Sequence, residues 1–253
     1  MPIDKGFSLF SSSSMYSAKG GVGKTTTLLS LAGTLSKMDK KVLIVDLDLT
    51  NGAIAFSLNK DVTKTIYNFA EDYLNNKYED MDKYITKYDD NISFIACPKD
   101  PRQASRISIK YIDILLDKCV YAYDVILIDT ASSLNEVNVF ALDKSDLIYF
   151  VTTNDFVSLK NLKNILNIFE ENELKKYKII VNNSFIPNKN FFSNYDLKNI
   201  LGSNIDYVIS SSFHVSKLDE LVLNGELITY KYSKFKDEKV FELMANEIIG
   251  GKK

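Results

Sequence analysis

From Ser17 to Thr27 the chain reads Ser-Ala-Lys-Gly-Gly-Val-Gly-Lys-Thr-Thr-Thr. Gly20, Gly21 and Gly23, with only Val22 between them, let the backbone fold tightly enough to aim several N–H groups at one point. A cluster of amide donors ahead of a helix is a receptor for phosphate. Lys24 adds a point charge for the β and γ phosphates of a nucleotide, the Thr25 hydroxyl is placed to ligate magnesium, and Thr26 completes the wrap. Lys19 is the unusual element, a second lysine ahead of the glycines. Ala18 stands where the ordinary G-x-x-x-x-G-K-[ST] pattern has its first glycine.

Phosphate chemistry at such a loop needs carboxylates near the metal, at the ends of neighbouring strands. Asp46 and Asp48 end the run KVLIVDLD, and the period-two alternation of a strand puts both on one side. Asp129 ends VILID, four apolar residues followed by an acid, the pattern of a carboxylate that holds a magnesium-bound water. Read alone, each acid also suits a polar turn or a helix cap. The loop upstream tips the reading toward the metal.

These groups must be positioned by alternating strands and helices. Apolar runs followed by helical patterns repeat along the chain, the mark of a parallel sheet covered by helices. A helix is expected over Thr25–Lys37, with Leu28, Leu31, Ala32 and Leu35 on one face. Strands are expected at Lys41–Leu47, Ile92–Ala96, Val125–Ile128, Leu147–Val151, Ile179–Val181 and Tyr207–Ile209. Further helices are expected at Ile107–Lys118, Ser158–Glu170 with a serine cap, Asp196–Leu201 and Val240–Ile249. The stretch before the loop, SLFSSSSMYS, is poor strand material, because serines neither favour strands nor fill a core. Either Met15 and Tyr16 with Phe10 carry a weak strand, or the serine run is a flexible remnant ahead of a very short one; the chain divides into a serine-rich lead-in over residues 1–14 and a single domain over 15–253.

The loop resembles the deviant Walker A signature x-K-G-G-x-G-K-T of the MinD/ParA family of ATPases. The resemblance covers roughly residues 15–250. It implies an α/β, three-layer P-loop NTPase fold with a mostly parallel central sheet flanked by helices, ATP and magnesium as cofactors, and an ATP-dependent homodimer in which Lys19 reaches the nucleotide of the second subunit. By the same resemblance Asp46 lies near the magnesium, and Asp48 orients the attacking water. Asn182, in KIIVNN, matches the position whose amide reads adenine; an amide donates and accepts at once. Ile209-Ser210 departs from the family's usual Ile-Pro and leaves Ser211–Phe213 as an unassigned wall. DLDLTNGAIAFSLN and ACPKDPRQASRIS resemble segments of CpaE/TadZ-like proteins, which place and assemble type IV-like (Tad) pili. That branch implies protein partners in a localisation or secretion machine. The stretch before the loop is too short for the receiver-like domain such proteins often carry.

Bulk composition narrows the partners. The 253 residues carry a net charge of −2, and only Arg102 and Arg106 among 31 basic residues are arginines. No global field draws the chain to nucleic acid, and a lysine patch at Lys175, Lys176 and Lys178 reads as a solvated helix end. The C-terminal stripe of Val240, Phe241, Met244 and Ile248 is crowded by Asp237, Glu238, Glu242 and Glu247, so it reads as a helix packed on the domain rather than a membrane anchor. A tyrosine kinase on the same scaffold would carry an arginine soon after the paired aspartates and a tyrosine cluster at its tail; Thr50 and Asn51 follow here, and no tyrosine follows Tyr232. Cys97 and Cys119 read as small buried hydrophobes, and the single His214 excludes a multi-histidine metal site. No apolar run approaches the about 20 residues of a membrane span, and the expectation is a cytoplasmic protein.

Overall fold

The computed structural model describes residues 11–171, 177–184, 192–213, 218–232 and 237–250. In chain order, β1 (Ser11–Tyr16) runs through the glycine loop into α1 (Lys24–Lys37). It is followed by β2 (Val42–Leu47), α2 (Ile54–Ser57), α3 (Ile66–Leu74), β3 (Thr86–Lys87), β4 (Ile92–Ile95), α4 (Ile109–Cys119) and β5 (Val125–Thr130). The second half continues with α5 (Glu136–Lys144), β6 (Leu147–Thr152), α6 (Phe156–Glu171), β7 (Tyr177–Asn182), α7 (Asn194–Leu201) and β8 (Tyr207–Ile209). Helices α8 (Leu218–Asn224), α9 (Ile228–Lys231) and α10 (Glu238–Gly250) close the described chain.

The strands form one sheet in the order β3-β4-β2-β5-β1-β6-β7-β8. Every pairing is parallel except that of β3 with β4. Parallel strands are buried on both faces, which is why the apolar runs are nearly unbroken. On one face Val42, Ile44, Val125, Leu127, Tyr149 and Val151 pack under α1, α9 and α10. On the other, Leu43, Val45, Ile126 and Ile128 meet α3 and α4, while Ile148, Phe150, Ile179 and Val181 meet α6 and α7. Helix α1 is enclosed along most of its length, with Leu28, Leu31, Ala32 and Leu35 fully buried.

The serine run is the main departure from expectation. Ser11–Ser14 are strand, not lead-in, and β1 sits in the middle of the sheet between β5 and β6. The expected boundary between Ser14 and Met15 therefore falls inside a strand. The run is stabilised by partners rather than by apolar contact. Ser12 Oγ donates to Asp146 Oδ2 at 2.9 Å, and the Ser12 amide donates to the same oxygen at 3.0 Å. Ser14 Oγ donates to the Ala141 carbonyl at 3.1 Å and lies 2.5 Å from Ser145 Oγ. Bulk on the opposite face comes from neighbouring strands, where Leu147 and Tyr149 of β6 and Leu127 of β5 enclose Met15.

Smaller differences have local causes. Helix α6 begins at Phe156 and is capped by Asp155, whose Oδ1 accepts the Ser158 amide at 3.0 Å; Ser158 lies inside the helix, not at its cap. Helix α5 lacks a clear apolar stripe, whereas α3 carries one in Ile66, Phe69 and Ala70 that the sequence reading passed over. A capping box at Thr65 and Asn68 starts α3, and Asn135 caps α5. Of the C-terminal stripe, Phe241, Met244 and Ile248 are buried against α1 and the sheet, and Val240 is half-buried beside them. Lys178 is held between Asp206 at 3.2 Å and Glu247 at 3.0 Å. Lys175, Lys176 and His214 lie outside the described residues. Cys119 is buried, whereas Cys97 is only half-buried at the sheet's C-terminal edge. No described helix is long and apolar enough to cross a membrane.

Candidate nucleotide site

The C-terminal edge of β1 opens into the glycine loop, and this placement assembles the site. Gly21 (φ 75°) and Gly23 (φ 85°) adopt left-handed backbone that side chains disfavour, and Gly23 caps α1 directly. No acid lies in the first turn of α1, so its unpaired amides and the positive end of its dipole face an open cradle. Gly20 and Gly21 are exposed at the mouth, while Val22 is buried as the loop's anchor.

Two carboxylates stand beside this cradle. Parallel pairing of β2 with β5 sets Asp46 directly opposite Asp129, on the sheet face that carries α1. Both are 1% exposed. Lys24 Nζ donates to Asp129 Oδ1 at 2.6 Å, and Thr25 Oγ1 donates to Asp129 Oδ2 at 2.6 Å. The expected phosphate lysine, magnesium threonine and strand-end acid thus meet in one cluster. Asp46 accepts the Ile54 amide at 3.2 Å and the Asp48 amide at 3.3 Å. Burial first, and then the neighbouring charge of Asp129, pushes its carboxyl up to about 8. Burial likewise pushes the Cys97 thiol up to about 12, with Asp46 beside it adding to the shift.

Of the two buried carboxylates, Asp129 is the one that Lys24 pairs with. Among the described residues no three His, Cys, Asp or Glu side chains cluster as a self-contained metal cage. Hard oxygen donors from Thr25, Asp46 and Asp129 beside an anion cradle fit magnesium, which is held by one or two carboxylates together with substrate phosphates. Bound there with ATP, the ion would neutralise phosphate charge.

The other expected residues sit close by in different arrangements. Asp48 lies just past the end of β2, half-buried, and its Oδ1 accepts the Asn51 amide at 3.1 Å. Thr26 accepts the Ser30 hydroxyl on its carbonyl one turn into α1. Asn182 is 4% exposed; its Nδ2 donates to the Val22 carbonyl at 2.9 Å and its Oδ1 accepts the Ser184 amide at 3.0 Å. Both ends of that amide are engaged by the protein, so here Asn182 braces the phosphate loop. Lys19 has a different partner from Lys24. Its Nζ lies 3.4 Å from Asp155 Oδ1 in the same chain, and its side chain is 42% exposed.

Two residues escaped the sequence reading. Burial alone would raise the Asp155 carboxyl, but hydrogen bonds from Thr153 and Ser158, with Lys19 adding, hold it down at about 2. Its only signal in the sequence was an Asp ahead of a helix. Asn138, fully buried in α5, accepts the Ala131 amide at 3.2 Å and donates to the carbonyls of Ala131 and Ser133. It fixes the loop that follows Asp129. An isolated asparagine carries no such signal.

A family model described as an AAA domain (AAA_31) matches residues 12–186, more than half of the chain. The chain belongs to this family, as a P-loop ATPase of the MinD/ParA type. A putative septum site-determining protein MinD of Oltmannsiellopsis viridis is 27% identical over 241 residues, covering 92% of this chain and 74% of that one. Among solved structures, a ParA family ATPase from Chlorobium tepidum TLS superposes with a TM-score of 0.81 at 21% identity, covering 93% of this chain and 97% of its own. MinD from Pyrococcus horikoshii OT3, solved with Mg-ADP, superposes with a TM-score of 0.79 at 22% identity, covering 96% and 99%. At such identities these two structures speak for the fold, the three-layer arrangement expected from the sequence.

Proposed function

We propose that this ATPase is a slow molecular switch: it binds Mg-ATP in the loop of residues 19–26, pairs with a second copy, and is reset by hydrolysis. The observation that carries the reading is the Lys24–Asp129–Thr25 cluster beside Asp46, together with a second lysine, Lys19, that takes no part in it. In-line phosphoryl transfer depends mostly on positioning and charge stabilisation. Lys24 and the loop amides hold the phosphates, Thr25, Asp46 and Asp129 would hold the magnesium, and Asp48 orients water. Lys19 leaves Asp155 and brings a positive charge to the γ-phosphate of the other copy. Asn182 gives its amide to adenine or keeps the loop in shape for it.

The switch places or assembles a cellular structure through protein partners. DLDLTNGAIAFSLN favours a Tad-type pilus. The MinD relative, whose name is that of a septum site-determining protein, favours the division site as a second reading. The near-neutral charge and the packed α10 weigh against direct binding to DNA or membrane.

Light scattering of the purified chain with Mg-ADP against Mg-AMPPNP tests the core of this reading. The expected result is a monomer with ADP and a dimer with AMPPNP, alongside slow phosphate release from ATP that Lys24→Ala removes. A monomer in both nucleotides sinks the pairing.

A further inference from the structure

The segment after β5 is tied to the strand that carries the glycine loop. Thr130 Oγ1 donates to the Met15 carbonyl at 2.8 Å, and Tyr16 Oη donates to the Ser132 carbonyl at 3.4 Å. From α5, the buried Asn138 holds the Ala131 amide and the carbonyls of Ala131 and Ser133. Residues 130–133 are thus fixed by side chains of both β1 and α5. The hydroxyl that this bracing presents is that of Ser132. It is half-buried, has no hydrogen-bond partner among the described residues, and faces the first glycine of the loop: a β-carbon built on Gly20 would lie 3.8 Å from Ser132 Oγ.

We infer that Ser132 Oγ donates a hydrogen bond to the terminal phosphate of bound ATP, so that this serine helps the site tell a triphosphate from a diphosphate. The inference rests on the Mg-ATP site proposed above and adds a group outside its loop and its acids. A loop lysine of this kind reaches the β and γ phosphates, and Lys24 is bonded here to Asp129, three residues before Ser132. The terminal phosphate therefore lies between the glycine loop and the segment after β5, and Ser132 faces the loop across that gap. A hydroxyl rotates to donate to whichever phosphate oxygen is near. A bond to a charged oxygen is about twice as strong as one between neutral groups. Because the backbone of residues 130–133 is fixed before the nucleotide arrives, little order is lost on binding. With ADP the same hydroxyl meets water, so the gain belongs to the triphosphate.

The test is a competition titration of AMPPNP and of ADP, each with magnesium, against a fluorescent ADP. It is run at protein concentrations where light scattering reports single copies, so that pairing does not enter. Ser132→Ala should weaken AMPPNP roughly tenfold and change ADP by less than about twofold. Ser132→Thr, which keeps the hydroxyl, should stay near the parent for both. Thermal melts give a second readout: without nucleotide the variants should melt like the parent. AMPPNP should protect the parent more than ADP does, and Ser132→Ala should narrow that gap. Equal losses for the two nucleotides, or none, overturn this inference and leave the Mg-ATP site standing. A loss on AMPPNP that Ser132→Thr shares assigns the effect to the shape of the loop and overturns it as well. A parent that binds neither nucleotide overturns both readings.

Discussion

At the scale of single residues, the site is a charge problem. Lys24 is the ammonium within hydrogen-bonding reach of Asp129, and Asp46 lies directly across the strand pair from that acid. Lys24→Ala strands a buried carboxylate, so it should lower stability by about 3 kcal/mol in a denaturant titration and reduce phosphate release by roughly a hundredfold or more. The raised Asp46 predicts a pH dependence with a definite sign. From its ordinary 3.8 up to about 8 the folded protein keeps a proton that the unfolded chain has lost. Stability of the nucleotide-free protein should therefore fall as pH rises through that window, by up to about 1.4 kcal/mol per pH unit. Denaturation curves in EDTA between pH 5 and about 8 measure it, and Asp46→Asn should flatten the slope. A slope that survives this change would place the titrating group elsewhere. The residues of this cluster were legible in the sequence because phosphate and magnesium chemistry restricts residue type and order. Asp155 and Asn138 were not, since their value lies in partners that only the fold brings near.

At the scale of elements, two local devices invite tests. Gly52 is pressed onto Asp46: a β-carbon there would lie 2.4 Å from Oδ2. Gly52→Ala must displace the carboxylate or the turn leading into α2, so a raised magnesium requirement for nucleotide binding is expected in a titration of the ion. The serine strand offers a matched pair. Ser13 Oγ is buried with no hydrogen-bond partner among the described residues, whereas Ser14 Oγ has two. Ser13→Ala should stabilise by about 1 kcal/mol and Ser14→Ala should destabilise by about 1–2 kcal/mol in urea titrations. Equal effects of the two changes would refute the distinction. Strands β2, β5 and β6 were legible as apolar runs, because a strand buried on both faces leaves that trace. Strand β1 was hidden because hydrogen bonds to α5 and the loop after it take the place of apolar side chains.

At the scale of the whole molecule, the sheet brings Lys24, Thr25, Asp46 and Asp129 to one edge and leaves the start of α6 as an apolar step beside it. Lys19 lies on this edge but outside the Lys24 cluster, held by Asp155. Lys19→Ala should bind fluorescent ATP within about threefold of the parent, since the cis phosphate contacts remain, yet fail to pair in light scattering. Pairing equal to that of the parent would end the role of this lysine in trans. The layered α/β architecture was readable from the alternation of elements. Which surface meets another molecule was not, because exposure belongs to the assembled fold and leaves no periodic mark in the chain.

The position of the serine strand also sets an order of events during synthesis. Ser11 pairs with Val125, and Ser13 with Leu147. A strand of serines has little apolar surface with which to collapse early, and contacts so distant along the chain form slowly. As the chain leaves the ribosome, β1 must wait for β5 and β6 to build the slot it fills. The glycine loop hangs from the end of that strand, so it takes shape only after the later strands β5 and β6 are in place. Nucleotide binding would then report completion: a truncated or half-made chain has no cradle with which to hold ATP.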